Sequence, residues 1–298
     1  MPSPLTIHGL PERVRRPVLL MAFGGWNDAS ESATMAARHL ARAWSAEPFA
    51  TIDPEEFYHF GLTRPHIRFK EGSRTEREII WPATEFSAAA LPELDRDVII
   101  GLAIEPHLRW KTYCGLILEF ARRCNVSLVL TLGALLADVP HTKPVRVTGT
   151  SADREQAAIL GIQRTWYEGP TGIVGVLNAT CRDQGMPVAS LWANIPHYIS
   201  GTENPRAALT LVQRVAEFLH VRVDLADLEE AAVQFDESLA EVVARNAEIA
   251  AYVKKLEEKD PDEDEPALSP REELPPGSDV VAEIEQFLRQ QRPGEPTA

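Results

Sequence analysis

Polar side chains that could share a site gather in four short stretches of this 298-residue sequence. Each stretch closes an apolar run: Gly24-Gly25-Trp26-Asn27-Asp28, Glu105-Pro106-His107, Gly133 to Thr142, and Asn194-Ile195-Pro196-His197-Tyr198. Trp26, Asn27, Asp28, Glu105, His107, Asp138, His141, Thr142, Asn194 and His197 are therefore the candidate pocket. Imidazoles beside carboxylates are the residue types that acid–base chemistry or a metal site uses. For that chemistry Asp28, Glu105, His141 and His197 must converge. Each also has a plainer reading. Asp28 stands at a helix start and can cap it. Trp26 can be a packing anchor, and Glu105 can pair with Arg109 at i+4. His141 and His197 each follow a proline and precede a hydroxyl-bearing residue, as hydrogen-bonded loop histidines do. Gly24 and Gly25 can serve a tight turn and nothing more.

No motif decides between the two readings. The glycine spacing fits neither a dinucleotide fingerprint nor a phosphate-binding loop. Zincin, nucleophile-elbow and cysteine-protease signatures are missing. No catalytic residue, cofactor or metal is assigned. The three cysteines, Cys114, Cys124 and Cys181, are odd in number and lack zinc-ligand spacing. They read as buried core thiols.

The candidate residues can meet only if the runs before them are neighbouring strands. Pro17 to Phe23, Asp97 to Ile104, Val126 to Leu132, Gly172 to Leu177 and Val188 to Ile195 read as strands. Helical spacing is seen over Asp28 to Ala43, Trp110 to Arg123, Ser151 to Leu160, a segment capped by Asn178 and stopped by Gly185, and Asn204 to His220, with Pro205 at a first helical position. Strands apolar throughout, alternating with helices, predict an α/β fold in three layers with a mainly parallel sheet. Ligands of such sheets bind beyond the carboxyl ends of the strands. Thr51, Ile52, Phe57, Tyr58 and Thr75 to Trp81 fit short strands and a hairpin at a sheet edge.

This reading places the α/β domain at 10–222, a long helix or helical hairpin at 223–259, and an acidic linker with a short terminal helix at 260–298. The stripe Leu228, Ala232, Phe235, Leu239, Val242, Ile249, Val253 and Leu256 would make a helix of about 48 Å. That would outrun the domain, so contact with a second copy and a closed homo-oligomer are expected. Residues 1–220 hold 22 Lys and Arg against 23 Asp and Glu, whereas residues 221–298 hold 8 against 21. The neutral body offers no basic face for nucleic acid. The acidic end reads as a solubilising tail, with a basic partner as the alternative. No apolar run reaches the roughly 18 residues of a membrane span, and Met1 to Leu10 lacks a leader pattern. A cytoplasmic protein is expected.

Gly25-Trp26-Asn27-Asp28-Ala29, Gly133 to Thr142, Tyr167-Glu168-Gly169-Pro170-Thr171-Gly172-Ile173, and Ser190-Leu191-Trp192 to Pro196-His197-Tyr198 occur in this order. Together they resemble the proteasome assembly chaperone family, in its bacterial branch related to the second assembly chaperone subunit, over most of residues 14–258. The resemblance implies a phosphorylase/hydrolase-like fold, self-association, proteasome subunits as partners, and a non-enzymatic, assembly-chaperone-like role. It carries over no catalytic residue. The chain ends Gly294-Glu295-Pro296-Thr297-Ala298 rather than in the hydrophobic–tyrosine terminus by which such chaperones dock. The alternative is a small-molecule binder or phosphorylase/hydrolase-like enzyme that uses the strand-end loops.

Overall fold

The computed structural model describes residues 3–9, 14–70, 72–94, 96–151, 154–160, 162–164 and 168–258. The linker and terminal helix expected over 260–298 lie outside the described residues, as does Tyr167. In chain order the elements are β1 (Leu5–Ile7), β2 (Val18–Gly24), α1 (Ser32–Ala43), β3 (Glu47–Ile52), β4 (His66–Phe69), β5 (Arg77–Ile80), β6 (Thr84–Ala89), β7 (Val98–Ile104), α2 (Trp110–Arg123), β8 (Leu128–Ala137), β9 (Val147–Ser151), α3 (Arg154–Ile159), β10 (Gln163–Arg164), α4 (Ile173–Asp183), β11 (Val188–Pro196), α5 (Pro205–Leu219), α6 (Ala226–Arg245) and α7 (Ala247–Glu258).

The main sheet runs β1-β3-β6-β7-β2-β8-β11-β9-β10. Its centre, β7-β2-β8-β11, is parallel. The β1, β3 and β6 flank is antiparallel, and so is β9 on β11. β10 is parallel to β9, while β4 and β5 pair with each other in a separate hairpin. Both faces of the central strands are buried. In β2, Val18, Leu20 and Ala22 join one core with α1, α5, α6 and α7. Leu19, Met21 and Phe23 join the other with α2 and α4. This covering is why the strands show no polar alternation, and it gives the three-layer α/β fold that the pattern implies. Asn204 caps α5 by accepting the Ala207 amide at 2.9 Å, with Pro205 in the first turn.

Two segments differ from the sequence reading. Gly172 to Leu177 is not a strand; Ile173–Asp183 is α4. Its buried residues Ile173, Val174, Leu177 and Cys181 keep helical spacing past the β-branched stretch, and a short apolar run cannot by itself tell strand from helix. Asn178 lies inside that helix, accepting from the Thr131 hydroxyl at 3.3 Å. Gly185 does stop it, at φ +70°. β8 does not end at Gly133 but continues to Ala137. A Cβ at Gly133 would lie 2.6 Å from the Trp192 ring, so this glycine admits a neighbour rather than a turn.

The apolar stripe also finds its cover inside the chain. α6 and α7 are separated at Asn246, where the backbone is extended. The Asn246 carboxamide then accepts the Glu248 and Ile249 amides at 2.9 and 3.2 Å and starts α7 anew. With that break, Leu228, Ala232, Leu239, Val242, Ile249, Val253 and Leu256 all enter the α1–α5 core. The stripe therefore gives no ground for a second copy. Leu239→Ala, at a fully buried position, should lower unfolding stability by about 2–5 kcal/mol, read from urea midpoints at unchanged slope.

Candidate functional site

β8 and β11 pair without a break from Val129–Val188 to Ala137–Pro196. β2 leaves β8 after Ala22–Leu132. The tips of β8 and β11 thus overhang the sheet, and three local structures gather around them. The Asp28 stretch bridges to Ala134, whose amide donates to the Asn27 carbonyl at 2.9 Å. Residues 138–146 return from β8 towards β9, with the Asn194 amide donating to the Arg146 carbonyl at 3.0 Å. α7 lies over this return.

Asn27 and Glu105 form the first cluster. One Glu105 carboxylate oxygen accepts the Asn27 carboxamide at 2.7 Å and the Ile173 amide at 2.8 Å. The carboxylate thus sits at the N-terminus of α4, where a negative charge is favoured. Asn27 is fully buried, and its own oxygen is unpartnered. A Cβ at Gly172 would meet that oxygen at 2.4 Å and Glu105 Oε1 at 2.7 Å, so any larger residue would have to push the Asn27–Glu105 pair aside. The expected Glu105–Arg109 pair does not form, because Arg109 pairs with Glu56 instead. Asp28 is buried and faces away, accepting from the Ala33 amide at 2.6 Å, the Thr34 amide at 3.2 Å and the Thr34 hydroxyl at 2.5 Å. Burial pushes its carboxyl above the usual range, against the pull of those bonds. The capping reading of Asp28 therefore holds. Trp26 is no packing anchor, being 60% exposed. His107 lies apart and accepts the His59 amide at 3.2 Å.

Asp138, His141, Thr142, Asn194 and His197 form the second cluster. Tyr198 donates or accepts at His141 Nδ1 across 2.7 Å and accepts the His141 amide at 2.9 Å. His197 Nδ1 lies 3.2 Å from the Asp138 carboxylate, and its Nε2 lies 3.2 Å from the Tyr252 hydroxyl of α7. Thr142 donates to the Glu257 carboxylate at 2.5 Å, and Lys143 donates to the Glu257 carbonyl at 2.8 Å. Asn194 accepts from the Thr148 hydroxyl at 3.2 Å. Burial lowers the His141 pKa, with Asp236 and Glu257 opposing the shift. Burial pushes Tyr252 up to about 12 and raises Tyr198 as well. A cavity of about 280 Å³ beside this cluster is bordered by Asp138, His141, Arg146, Asn194, Phe235 and Leu256, among others.

The acid–base set does not assemble. Among the described residues, the cavity takes His141 from that set and not Asp28, Glu105 or His197. No group of three or more His, Cys, Asp or Glu among the described residues is placed to hold a metal. Cys114, Cys124 and Cys181 are free and buried, and burial raises their thiols to about 12, 11 and 11, the opposite of an activated nucleophile. Sequence reasoning missed Tyr198, Tyr252, Glu257 and Gly172 as partners of the candidates. Tyr198 adjoins His197 in a quoted stretch, whereas Tyr252 and Glu257 belong to a helix whose docking carries no local signal.

Residues 22–243 match a known family along most of the α/β core. The chain belongs to the PAC2 family. A PAC2 family protein from Streptomyces avermitilis shares 40% identity over 80% of this chain and 99% of its own, at a TM-score of 0.72. A Mycobacterium tuberculosis proteasome-assembly chaperone homologue shares 43% over 79% and 99%, at 0.71. An archaeal proteasome activator from Pyrococcus furiosus, 19% identical over 80% and 97%, shares the fold at 0.64. No protein with a curated description matches the chain. The PAC2 fold therefore underlies both clusters. No helix among the described residues is long and apolar enough to cross a membrane.

Gly172→Ala drives a methyl group into the Asn27–Glu105 pair and should cost about 1–3 kcal/mol, as other overpacked sites do; thermal or urea unfolding measures it. The second cluster should respond to pH. The His141 pKa is below its ordinary 6.5 in the folded chain, so the unfolded chain takes up the proton first as pH falls. Its contribution is fully present above about pH 6.5 and is lost as pH drops below that, towards the folded value. Urea midpoints of the protein and of His141→Gln, compared between about pH 7.5 and about pH 5, should show a shallower decline in the variant.

Proposed function

We propose that this PAC2 protein is a non-enzymatic, assembly-chaperone-like binding protein with proteasome-related partners. Its contact surface is the β4–β5 hairpin, and the hairpin's exposure carries the reading. Ile67 pairs with Ile79, and Phe69 with Arg77, so Ile67, Phe69 and Ile79 share one face. They are 65%, 51% and 53% exposed. Leu62 and Trp81 at the foot of the hairpin are exposed as well. A lone two-stranded hairpin is marginally stable in water, and an open apolar face of this kind marks a protein contact.

The hairpin also stands on the carboxyl-end side of the sheet, where the candidate residues lie. β6 runs against β7 and β3 runs against β6, so residues 53–83 leave and return at the carboxyl ends of the parallel strands. Trp26, Ile104, Leu108 and Leu136 are exposed at those ends too. The polar candidates favour binding over catalysis because they are taken up by one another, by backbone and by α7. The M. tuberculosis homologue supports the class of partner. Such partners are met in the cytoplasm, and self-association through the same face accompanies this reading.

Mixing the full chain with proteasome α-subunits should give a complex by light scattering. Ile67→Asp, Phe69→Asp and Ile79→Asp together should weaken it at least about 30-fold, the loss expected of interface anchors, at an unchanged melting temperature. No complex, or one indifferent to the triple substitution, overturns the reading. A monomeric protein at all concentrations removes self-association from it.

A further inference from the structure

We infer that the cavity between the 138–146 return and helices α5, α6 and α7 is a binding site for a small organic carboxylate with an apolar body. The site is separate from the hairpin and does not depend on it. Its volume of about 280 Å³ lies near the lower end of ligand pockets, about 300 Å³, so the ligand is small. The wall has the make-up of such pockets, an apolar surface with a few polar groups set into it. Ile199, Phe235 and Leu256 supply apolar surface, joined by Pro140 and Val145 of the return.

The polar groups are donors, and the fold holds them in place. The antiparallel register that sets Ala193 against Val147 continues to Asn194 against Arg146, with the Asn194 amide donating to the Arg146 carbonyl at 3.0 Å. Opposed residues of such a pair project to one face of the sheet, and both border the cavity. Asn194 is buried, and its carboxamide oxygen accepts the Thr148 hydroxyl at 3.2 Å. Its NH2 group then has no hydrogen-bond partner among the described residues. A buried amide costs free energy until an acceptor meets it. His141 supplies another donor. The Tyr198 hydroxyl already accepts the His141 amide at 2.9 Å. Among the described residues Nδ1, at 2.7 Å, is the acceptor for its own proton. That bond leaves the ring proton of neutral His141 on Nε2.

Charge selects the ligand class. Among the described residues Lys143, Arg146 and Arg206 border the cavity against Asp138 and Asp236. Arg206 pairs with Asp236, and Asp138 lies 3.2 Å from His197 Nδ1. Burial holds the His141 pKa below its ordinary value, so the ring adds no charge near neutral pH. Three cations against two carboxylates leave one positive charge, which a single carboxylate balances. Arg146 offers the planar fork that a carboxylate meets with two parallel bonds. A neutral ligand would leave that charge unanswered. Inorganic phosphate would bring more charge than the border balances, and no apolar body to lie on Phe235 and Leu256.

Titration of the full chain with benzoate at about pH 7.5, followed by NMR of the His141 ring, tests this. Benzoate is one carboxylate on a small apolar body. It should shift the His141 resonances saturably, with a Kd on the order of 1–10 mM for a ligand of that size. Benzamide, the same body without the charge, and inorganic phosphate, charge without the body, should each bind at least about tenfold more weakly. Asn194→Asp exchanges the NH2 group for a carboxylate oxygen of similar size. Arg146→Met removes the fork and keeps an apolar stem. Each should weaken benzoate binding at least about tenfold at an unchanged melting temperature. No saturable shift up to about 50 mM benzoate overturns the inference, as does benzamide or phosphate binding as tightly as benzoate. Undiminished benzoate binding in either folded variant overturns it too. No proteasome subunit is present, so the proposed function stands or falls separately.

Discussion

The overhang of β8 and β11 is the constraint on which the rest of the site depends. Beyond Leu132 on β8 the neighbour β2 is gone, yet the tip residues remain buried up to Ala134 on β8 and Ile195 on β11. Buried backbone amides and carbonyls must find partners. They find them beyond the parallel strands: in the Asn27 turn on one side, and in Arg146 and the antiparallel β9 on the other. Those borrowed bonds fix where the Asp28 turn and the 138–146 return can lie. Side chains follow the backbone, so Asn27 is delivered to Glu105 and His141 to Tyr198. The two clusters are by-products of one backbone problem solved twice. That origin explains why they sit apart although sequence reasoning placed them in one pocket.

Much of the fold was legible because the sheet is covered on both faces. Continuous apolar runs such as Val18 to Phe23 have few other interpretations, and α2 falls on its expected residues because its periodicity is long. Where periodicity was short, legibility ended. Ile173 to Leu177 is β-branched and apolar, and only the later burial of Cys181 settles it as helix. The glycines misled for a related reason. Gly133 reads as the end of its strand, but what it admits is the Trp192 ring from the adjacent strand, and a cross-strand contact of that kind has no local signature.

The candidate site was legible in its residues and not in its grouping. Types and positions along the chain picked out the polar residues of both clusters at the strand ends except Tyr198, which the structure makes a partner of His141. Convergence depends on register, overhang and the docking of α7, which are tertiary facts. The long stripe shows the same limit. Its apolar spacing was correct, but the extended backbone at Asn246 divides it, and a helix divided in two can follow a surface that a straight one would leave. The cover that a second copy was expected to supply is provided by the same chain.

These particulars bear on what kind of protein the fold can make. A catalytic pocket needs titratable groups held ready but uncommitted. Here the carboxylate of Glu105 is bound to an amide and a carboxamide, Asp28 holds a helix start, and both histidines lean on tyrosines. Each such bond lowers the ground state of the group that chemistry would have to move. Exposed apolar side chains lie elsewhere, on a hairpin that has two strands among the described residues. At roughly 25 cal/mol per Å² of apolar area removed from water, covering that face is worth several kcal/mol to whatever covers it, whereas breaking the polar clusters open returns nothing of the sort. The exposed apolar face of β4–β5 and the strand tips of β7, β2 and β8 lie at the same end of the sheet, because β3 and β6 run antiparallel to their neighbours and the chain between them leaves and returns there.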